Sequence, residues 1–179
     1  MTVRTGCEGA AAAASCPREP PVRGAPPRLR VCAMIVRHGQ LLLVRQRKGS
    51  STYWLLPGGG VERGETVEAA LLREVREECG LGVRVLLPPL GLVESISSDG
   101  GQSRHTLQLI YAAETLDQAP ALPCDPAILE CRWAGPDELP GLVLHPPIPD
   151  LLVPWVEAFA FGAPARWPAF VAVGARWVD

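Results

Sequence analysis

The stretch GGVERGETVEAALLREVREECGL, residues 59–81, decides the fold of this chain. Between Thr66 and Cys79 it contains no Gly or Pro, and most of its residues favour a helix. Its apolar residues recur at helical spacing, and they are Val67, Leu71, Leu72, Val75 and Cys79. The sequence therefore predicts an amphipathic helix that ends in a C-cap at Gly80.

Three carboxylates share a face beside that apolar arc. Glu74, Glu77 and Glu78 stand at i, i+3 and i+4, so their side chains lie close together on a helix. Like charges at this spacing, near a helix C-terminus, destabilise the helix by roughly 0.2–1 kcal/mol per contact. A bound cation would offset that cost, and oxygen-only ligands suit Mg²⁺ or Mn²⁺ rather than zinc.

A glycine-rich loop precedes the helix. The run Pro57-Gly58-Gly59-Gly60 allows positive φ angles and a close approach of the backbone to a ligand. A Gly run by itself is usually an ordinary turn. Joined to an acidic helix at this spacing, it predicts a loop that faces a charged ligand.

The whole stretch resembles the signature of the Nudix hydrolases, G-x5-E-x7-R-E-U-x-E-E-x-G-U with U bulky and aliphatic, and every defined position matches. The resemblance implies an α/β/α sandwich with a mixed β-sheet, in which the loop and helix hold metals that bridge a diphosphate. It implies that Glu74, Glu77 and Glu78 are catalytic and bind Mg²⁺ or Mn²⁺, helped by the carbonyl of Gly58. Family members differ in the glutamate that acts as general base, and Glu74 is our candidate.

The remaining motif positions resemble structural ones. The resemblance implies an internal salt bridge between Arg73 and Glu65 that fixes the loop over the helix. Gly59 and Gly80 match the two glycines of the signature. None of these four residues is expected to bind the metal.

Several residues outside the motif are candidates for substrate contact. Arg45 and Arg47 end a predicted strand just before the Gly loop, where they either bind phosphate or are simply solvated. Trp54 either stacks on a base or belongs to the core. Glu94 and Glu114 are candidates for a further metal ligand or base, or they are polar strand ends.

The chain divides into three predicted segments. Residues 1–27 are rich in Ala, Pro and Arg without large apolar side chains, and they predict a disordered leader. Residues 28–161 form the Nudix-like domain. Residues 162–179 hold Trp167, Phe170 and Trp177, so this extension is expected to pack on the domain or across a homodimer.

The predicted elements follow one another with short connections. The helix over Thr66–Cys79 lies between two groups of strands, and a last helix over Leu151–Phe161 is capped by Asp150 with Pro154 in its first turn. Pro88 and Pro89 separate two strands, and residues 97–103 form a polar loop. The predicted strands are Leu29–Val36, Gln40–Arg47, Tyr53–Leu56, Val83–Leu87, Gly91–Ile96, His105–Glu114 and Ala127–Trp133.

Composition excludes some partners. The 179 residues carry a net charge of −2 with a pI near 5.9, which favours a small-molecule nucleotide over a nucleic acid polymer. No apolar run reaches membrane-spanning length, so no membrane partner is expected. Six cysteines without a C-x-x-C pair favour a reducing, cytoplasmic compartment.

The sequence predicts a metal-dependent hydrolase that cleaves the diphosphate linkage of a nucleoside diphosphate joined to another moiety. The alternative is a Nudix-fold module that binds nucleotides or regulates without turnover. Loss of the metal-binding glutamates would be typical of that alternative, and here all three are present. Nucleoside triphosphates, nucleotide sugars and oxidised nucleotides all remain open as substrates.

Overall fold

Residues 25–99, 102–116, 125–160 and 175–176 are described by a computed structural model. They form eight strands, two α-helices and one short 3-10 helix. In chain order these are β1 (Arg28–Arg37), β2 (Gln40–Lys48), β3 (Ser51–Leu55), β4 (Gly58–Gly60), α1 (Val67–Cys79), β5 (Val83–Asp99), β6 (Gln102–Thr115), β7 (Ile128–Ala134), the 3-10 helix (Leu139–Gly141), α2 (Pro149–Ala160) and β8 (Ala175–Arg176).

Strand β1 organises the sheet. It runs parallel to β6, from Arg28 opposite Thr106 to Ile35 opposite Ala113, and antiparallel to β4 along its first half. Its last residues form a hairpin with β2. The strand order is β3-β2-β1-β6-β5-β8, with β7 on β2 and β4 on β1. The predicted mixed sheet is confirmed.

The alternating side chains of β1 build two hydrophobic clusters. Cys32 and Met34 belong to a cluster that also contains Trp155 of α2. Val31, Ala33 and Ile35 belong to the other, with Leu71, Val75 and Cys79 of α1. Since successive side chains of a strand point to opposite faces, each helix covers one face. This arrangement confirms the α/β/α sandwich.

Helix α1 is capped at both ends by its own sequence. The Thr66 hydroxyl accepts a hydrogen bond from the Ala69 N–H at 3.1 Å. Gly80 adopts the left-handed conformation, with φ of 64°, and its N–H donates to the Arg76 carbonyl. The predicted C-cap is confirmed, and these caps fix where the glutamate face begins and ends.

Two predictions about β5 and β6 were wrong. The pair Pro88-Pro89 does not divide β5, because the strand runs on through an irregularity in its pairing between Leu86 and Gly91. Residues 97–99 and 102–103 are strand rather than loop. The antiparallel pairing of β5 with β6 continues to Asp99 opposite Gln102, since backbone pairing needs no apolar side chains.

The start of α2 was also predicted wrongly. The helix begins at Pro149, and the N–H groups of Leu151 and Leu152 donate to the Ile148 carbonyl, so Asp150 lies in the first turn and is not the cap. Proline is favoured as the first helical residue, where it has no N–H to satisfy. Pro154 is therefore inside the helix rather than in its first turn.

The predicted leader and tail lie almost wholly outside the described residues. Within the tail, Ala175–Arg176 pairs in parallel with Ser95 and Ile96 of β5. The boundaries at 27 and 162 remain predictions. Among the described residues, no helix combines the length and apolar character needed to cross a membrane.

Candidate active site

Gly58 is the point where the Gly loop, β1 and α1 meet. Its φ is 143°, and a Cβ there would overlap the Val31 carbonyl, so no other residue fits without strain. The Gly58 N–H donates to Glu78 Oε2 at 2.8 Å. Its carbonyl accepts from Arg30 Nη2 at 2.6 Å. The predicted metal-binding carbonyl is thus already in contact with a cation.

Gly59 is required for a different reason. A Cβ on Gly59 would overlap the carboxylate of Glu74, which lies directly against the loop backbone. The glycine at this motif position therefore lets α1 bring one of its carboxylates up to the loop.

Arg73 is the centre of an ion-pair network beneath the loop. Its Nε and Nη2 donate to the two Glu65 carboxylate oxygens at 2.9 and 3.0 Å, and Nη2 also donates to the Gly60 carbonyl at 3.1 Å. Its Nη1 donates to Glu74 at 2.9 Å and to Glu77 at 3.3 Å. The predicted pair of Arg73 and Glu65 is present. The hydrogen bond from Arg73 lowers the pKa of Glu65.

The three motif glutamates differ in exposure. The side chain of Glu77 is 51% exposed, that of Glu74 is 16% exposed, and Glu78 is only 5% exposed. Burial raises the pKa of Glu78 to about 8, while the Gly58 N–H and Arg30 lower it and Glu74 and Asp125 raise it. A buried carboxylate of this kind is stabilised by a nearby cation.

The chemistry of these donors fits a hard divalent cation. Glu78 is buried beside the loop, Glu74 touches it, and the Gly58 carbonyl completes a set of oxygen donors. Across the described residues, however, no three His, Cys, Asp or Glu side chains converge on a single point. Arg73 binds Glu74 and Glu77, and Arg30 binds Gly58, so in this state guanidinium groups neutralise the donors.

Glu78 makes the stability of the metal-free protein depend on pH. Its folded pKa of about 8 lies above the ordinary value of 4.5, so the folded state binds this proton more tightly. The free energy of unfolding is therefore expected to fall as pH rises from 4.5 to about 8, and to level off above. Urea denaturation in a chelating buffer, repeated across this pH range, measures the free energy of unfolding.

Glu78→Gln should flatten this pH profile, because glutamine accepts the Gly58 hydrogen bond and carries no charge. Glu77→Gln is the matched control, since it removes the same charge from a half-exposed position of α1. An unchanged profile in Glu78→Gln would show that this carboxyl does not titrate as its burial requires.

A cleft of about 600 Å³ opens beside the Gly loop, and it is large enough for a nucleotide. Five cationic side chains line it, and no Asp or Glu is among its described lining residues. These cations are Arg28, Arg30, Arg47, Lys48 and Arg104. Although the chain is acidic overall, this cleft is suited to a polyanion.

Of the residues predicted to bind substrate, Arg47 lines the cleft and Arg45 and Trp54 do not. Trp54 is 9% exposed within a hydrophobic cluster, and the Arg45 guanidinium lies 5.7 Å from its ring centroid. Arg45 also pairs with Glu130 at 3.1 Å. The last three residues of β2, Gln46, Arg47 and Lys48, line the cleft.

The aromatic group of the cleft is Tyr53 rather than Trp54. The Tyr53 ring stacks on His145, with centroids 4.2 Å apart and planes 14° from parallel. Its hydroxyl donates to Gln46 Oε1 at 3.3 Å. Sequence reasoning missed this residue because alternation along β3 separates Tyr53 from Trp54 but does not tell which face meets the cleft.

The two outlying glutamates lie in different places. Glu94 Oε1 accepts a hydrogen bond from His105 Nε2 at 2.6 Å, and His105 lines the cleft. Glu114 pairs with Arg84 and lies six residues along β6 from Gln108, roughly 20 Å from that cleft residue. The structure thus places Glu94 beside the cleft and Glu114 away from it, and a role of either in metal binding stays a prediction.

The family model for the NUDIX domain matches residues 26–156. The chain therefore belongs to the Nudix hydrolase superfamily, and the resemblance seen in the motif is confirmed.

The chain is also similar in sequence to individual curated proteins. The chain is 32% identical over 131 residues to the NAD-capped RNA hydrolase NudC of Stutzerimonas stutzeri, covering 73% of this chain but only 45% of that protein. It is 30% identical over 135 residues to an RNA pyrophosphohydrolase of Erythrobacter litoralis, covering 65% of this chain and 82% of the relative.

Solved structures share the fold. A MutT NUDIX hydrolase of Burkholderia pseudomallei superposes with a TM-score of 0.60 at 31% identity, over 72% of this chain and 97% of that one. The likeness thus covers nearly the whole of a stand-alone Nudix domain.

Proposed function

We propose that this protein is a metal-dependent hydrolase that cleaves the diphosphate linkage of a nucleotide, in which a nucleoside diphosphate is joined to another moiety. The observation that carries the proposal is the junction at Gly58. Its N–H binds Glu78 of the acidic helix, and its carbonyl binds Arg30 of the basic cleft. Metal-binding carboxylates and phosphate-binding cations therefore meet at one point, as cleavage of a diphosphate requires.

Each residue has a proposed role. Glu74, Glu77 and Glu78, with the Gly58 carbonyl, hold Mg²⁺ or Mn²⁺. When bound, the metal supplies positive charge for the diphosphate oxygens and lowers the pKa of the attacking water. Glu74 accepts the proton of that water, because its carboxylate lies against Gly59 of the loop and is more exposed than that of Glu78.

The cleft residues orient the substrate. Arg28, Arg30 and Arg47 bind its phosphates, since guanidinium groups bind phosphate oxygens in pairs. The half-buried ring of His145, which stacks on the buried ring of Tyr53, offers a flat surface for a base. Arg45 and Trp54 are not part of this proposal.

The substrate we propose is a small-molecule nucleotide. Two of the relatives are named for RNA substrates, so the low net charge predicted from sequence does not decide the matter. In either kind of substrate, the group that reaches the proposed metal-binding donors is a diphosphate. The five cations of the cleft suit this diphosphate whether it belongs to a small nucleotide or to the end of an RNA.

A panel of nucleotides tests the proposal and its alternative. Purified protein is incubated with nucleoside triphosphates, NAD⁺, ADP-ribose, nucleotide sugars and a 5′-triphosphate RNA, in Mg²⁺ or in chelator. Turnover of at least one diphosphate compound in Mg²⁺, abolished by chelation, is the expected result. Nucleotide binding without turnover would instead establish a binding module.

Two further properties belong to the proposal. The three cysteines of the described residues are free thiols, which supports a reducing compartment such as the cytoplasm. A homodimer that uses the tail stays a prediction, and sedimentation of the full chain tests it.

A further inference from the structure

Arg30 contacts both parts of the proposed site, the cleft and the Gly58 carbonyl. Its side chain lines the cleft, where substrate phosphates are expected. Its Nη2 atom donates to the Gly58 carbonyl at 2.6 Å, and that carbonyl is a proposed metal ligand. In the metal-free protein, the Arg30 guanidinium is therefore hydrogen-bonded to the carbonyl oxygen that we propose as a ligand of the divalent cation.

We propose that Arg30 couples metal binding to substrate binding by exchanging partners. In the free protein it binds the Gly58 carbonyl and opposes binding of the cation. When a nucleotide enters the cleft, the guanidinium moves to a phosphate oxygen and leaves the carbonyl to the metal. This inference rests on the proposed function, and it assigns Arg30 as a positioning residue that makes the two ligands bind together.

Three features of the site support the exchange. A guanidinium and a divalent cation repel each other, so both cannot share one carbonyl without cost. The Gly58 backbone cannot turn away from Arg30, because Glu78 holds its N–H at 2.8 Å and β1 pairs with it at Cys32. Arginine also binds phosphate through paired hydrogen bonds, which gives the displaced side chain a better partner.

Arg28 provides a matched control. It lies two residues earlier on β1, on the same face, and it also lines the cleft. Its guanidinium lies against Gly60 rather than Gly58. Replacing either arginine removes one positive charge from the cleft, but only Arg30 contacts the proposed metal ligand.

The test measures Mn²⁺ affinity of the metal-free protein by electron paramagnetic resonance, with no nucleotide present. Arg30→Gln is expected to bind Mn²⁺ about five- to tenfold more tightly than wild type, whereas Arg28→Gln binds it as wild type does. Both variants should raise KM for the substrate that the wild type turns over best, by about tenfold, because each loses a phosphate contact. Circular dichroism confirms folding, and Arg30→Lys should fall between wild type and Arg30→Gln in Mn²⁺ affinity.

Each contrary outcome has a distinct meaning. Unchanged or weaker Mn²⁺ binding in Arg30→Gln overturns the inference, and so does an unchanged KM. Equal tightening in Arg28→Gln also overturns it, since the effect would then be one of charge alone. A wild-type protein that binds no Mn²⁺ contradicts the proposed function itself.

Discussion

Replacing Glu77 or Glu78 by glutamine is expected to lower kcat by at least about a hundredfold. Each change keeps the shape of the side chain but removes a negative charge that, in the proposed site, faces the metal and the diphosphate. Glu78→Gln should retain the hydrogen bond from the Gly58 N–H, so the loop keeps its position. Steady-state kinetics in saturating Mg²⁺ measures the effect, with thermal melting to confirm that both variants fold.

Glu68→Gln is the control for these variants. Glu68 lies exposed in the first turn of α1, and its removal takes the same charge from the same helix. Its kcat should stay near that of wild type. Near-wild-type turnover in both Glu77→Gln and Glu78→Gln would remove the assignment of the site to this face of α1.

Arg73→Ala is expected to destabilise the protein by about 1–2 kcal/mol, and to lower Tm by roughly 3–8 °C. The change removes the paired hydrogen bonds to Glu65 and the bond to the Gly60 carbonyl. It also leaves Glu74 and Glu77 without the guanidinium that separates their charges. Differential scanning calorimetry of the metal-free protein measures the loss.

Arg76→Ala is the matched change for Arg73→Ala, because Arg76 is exposed on the same helix, in its last turn. It should cost only a few tenths of a kcal/mol. If the Tm of Arg73→Ala equals those of Arg76→Ala and of the wild type, the ion-pair network does not hold the loop to the helix.

The sequence predicted those parts of the site that depend on local spacing. Gly80 and the apolar arc of α1 act within a few residues, so the helix and its C-cap could be predicted from the chain alone. The pair of Glu65 and Arg73, eight residues apart, was implied by the resemblance to the Nudix motif. The three glutamates share a face because they lie three and four residues apart on one helix.

The cleft could not be predicted in this way, because distant strands build it. Arg30 reaches Gly58 only through the antiparallel pairing of β1 with β4, which no local pattern reports. Arg47 lines a cleft that residues of β1, β3 and β6 also line, so its position depends on the pairing of distant strands. Tyr53 and Trp54 are both buried, in different hydrophobic clusters, and only Tyr53 also lines the cleft.

The measurement that tests the central claim most directly is hydrolysis in water enriched in ¹⁸O, with Mg²⁺ and the best substrate of the nucleotide panel. Mass spectrometry of the products locates the label. Attack of water on a diphosphate predicts one ¹⁸O atom in a phosphate group of one product, and no label in chelator. A nucleotide recovered intact in Mg²⁺, or products that carry the label outside their phosphates, would contradict the account.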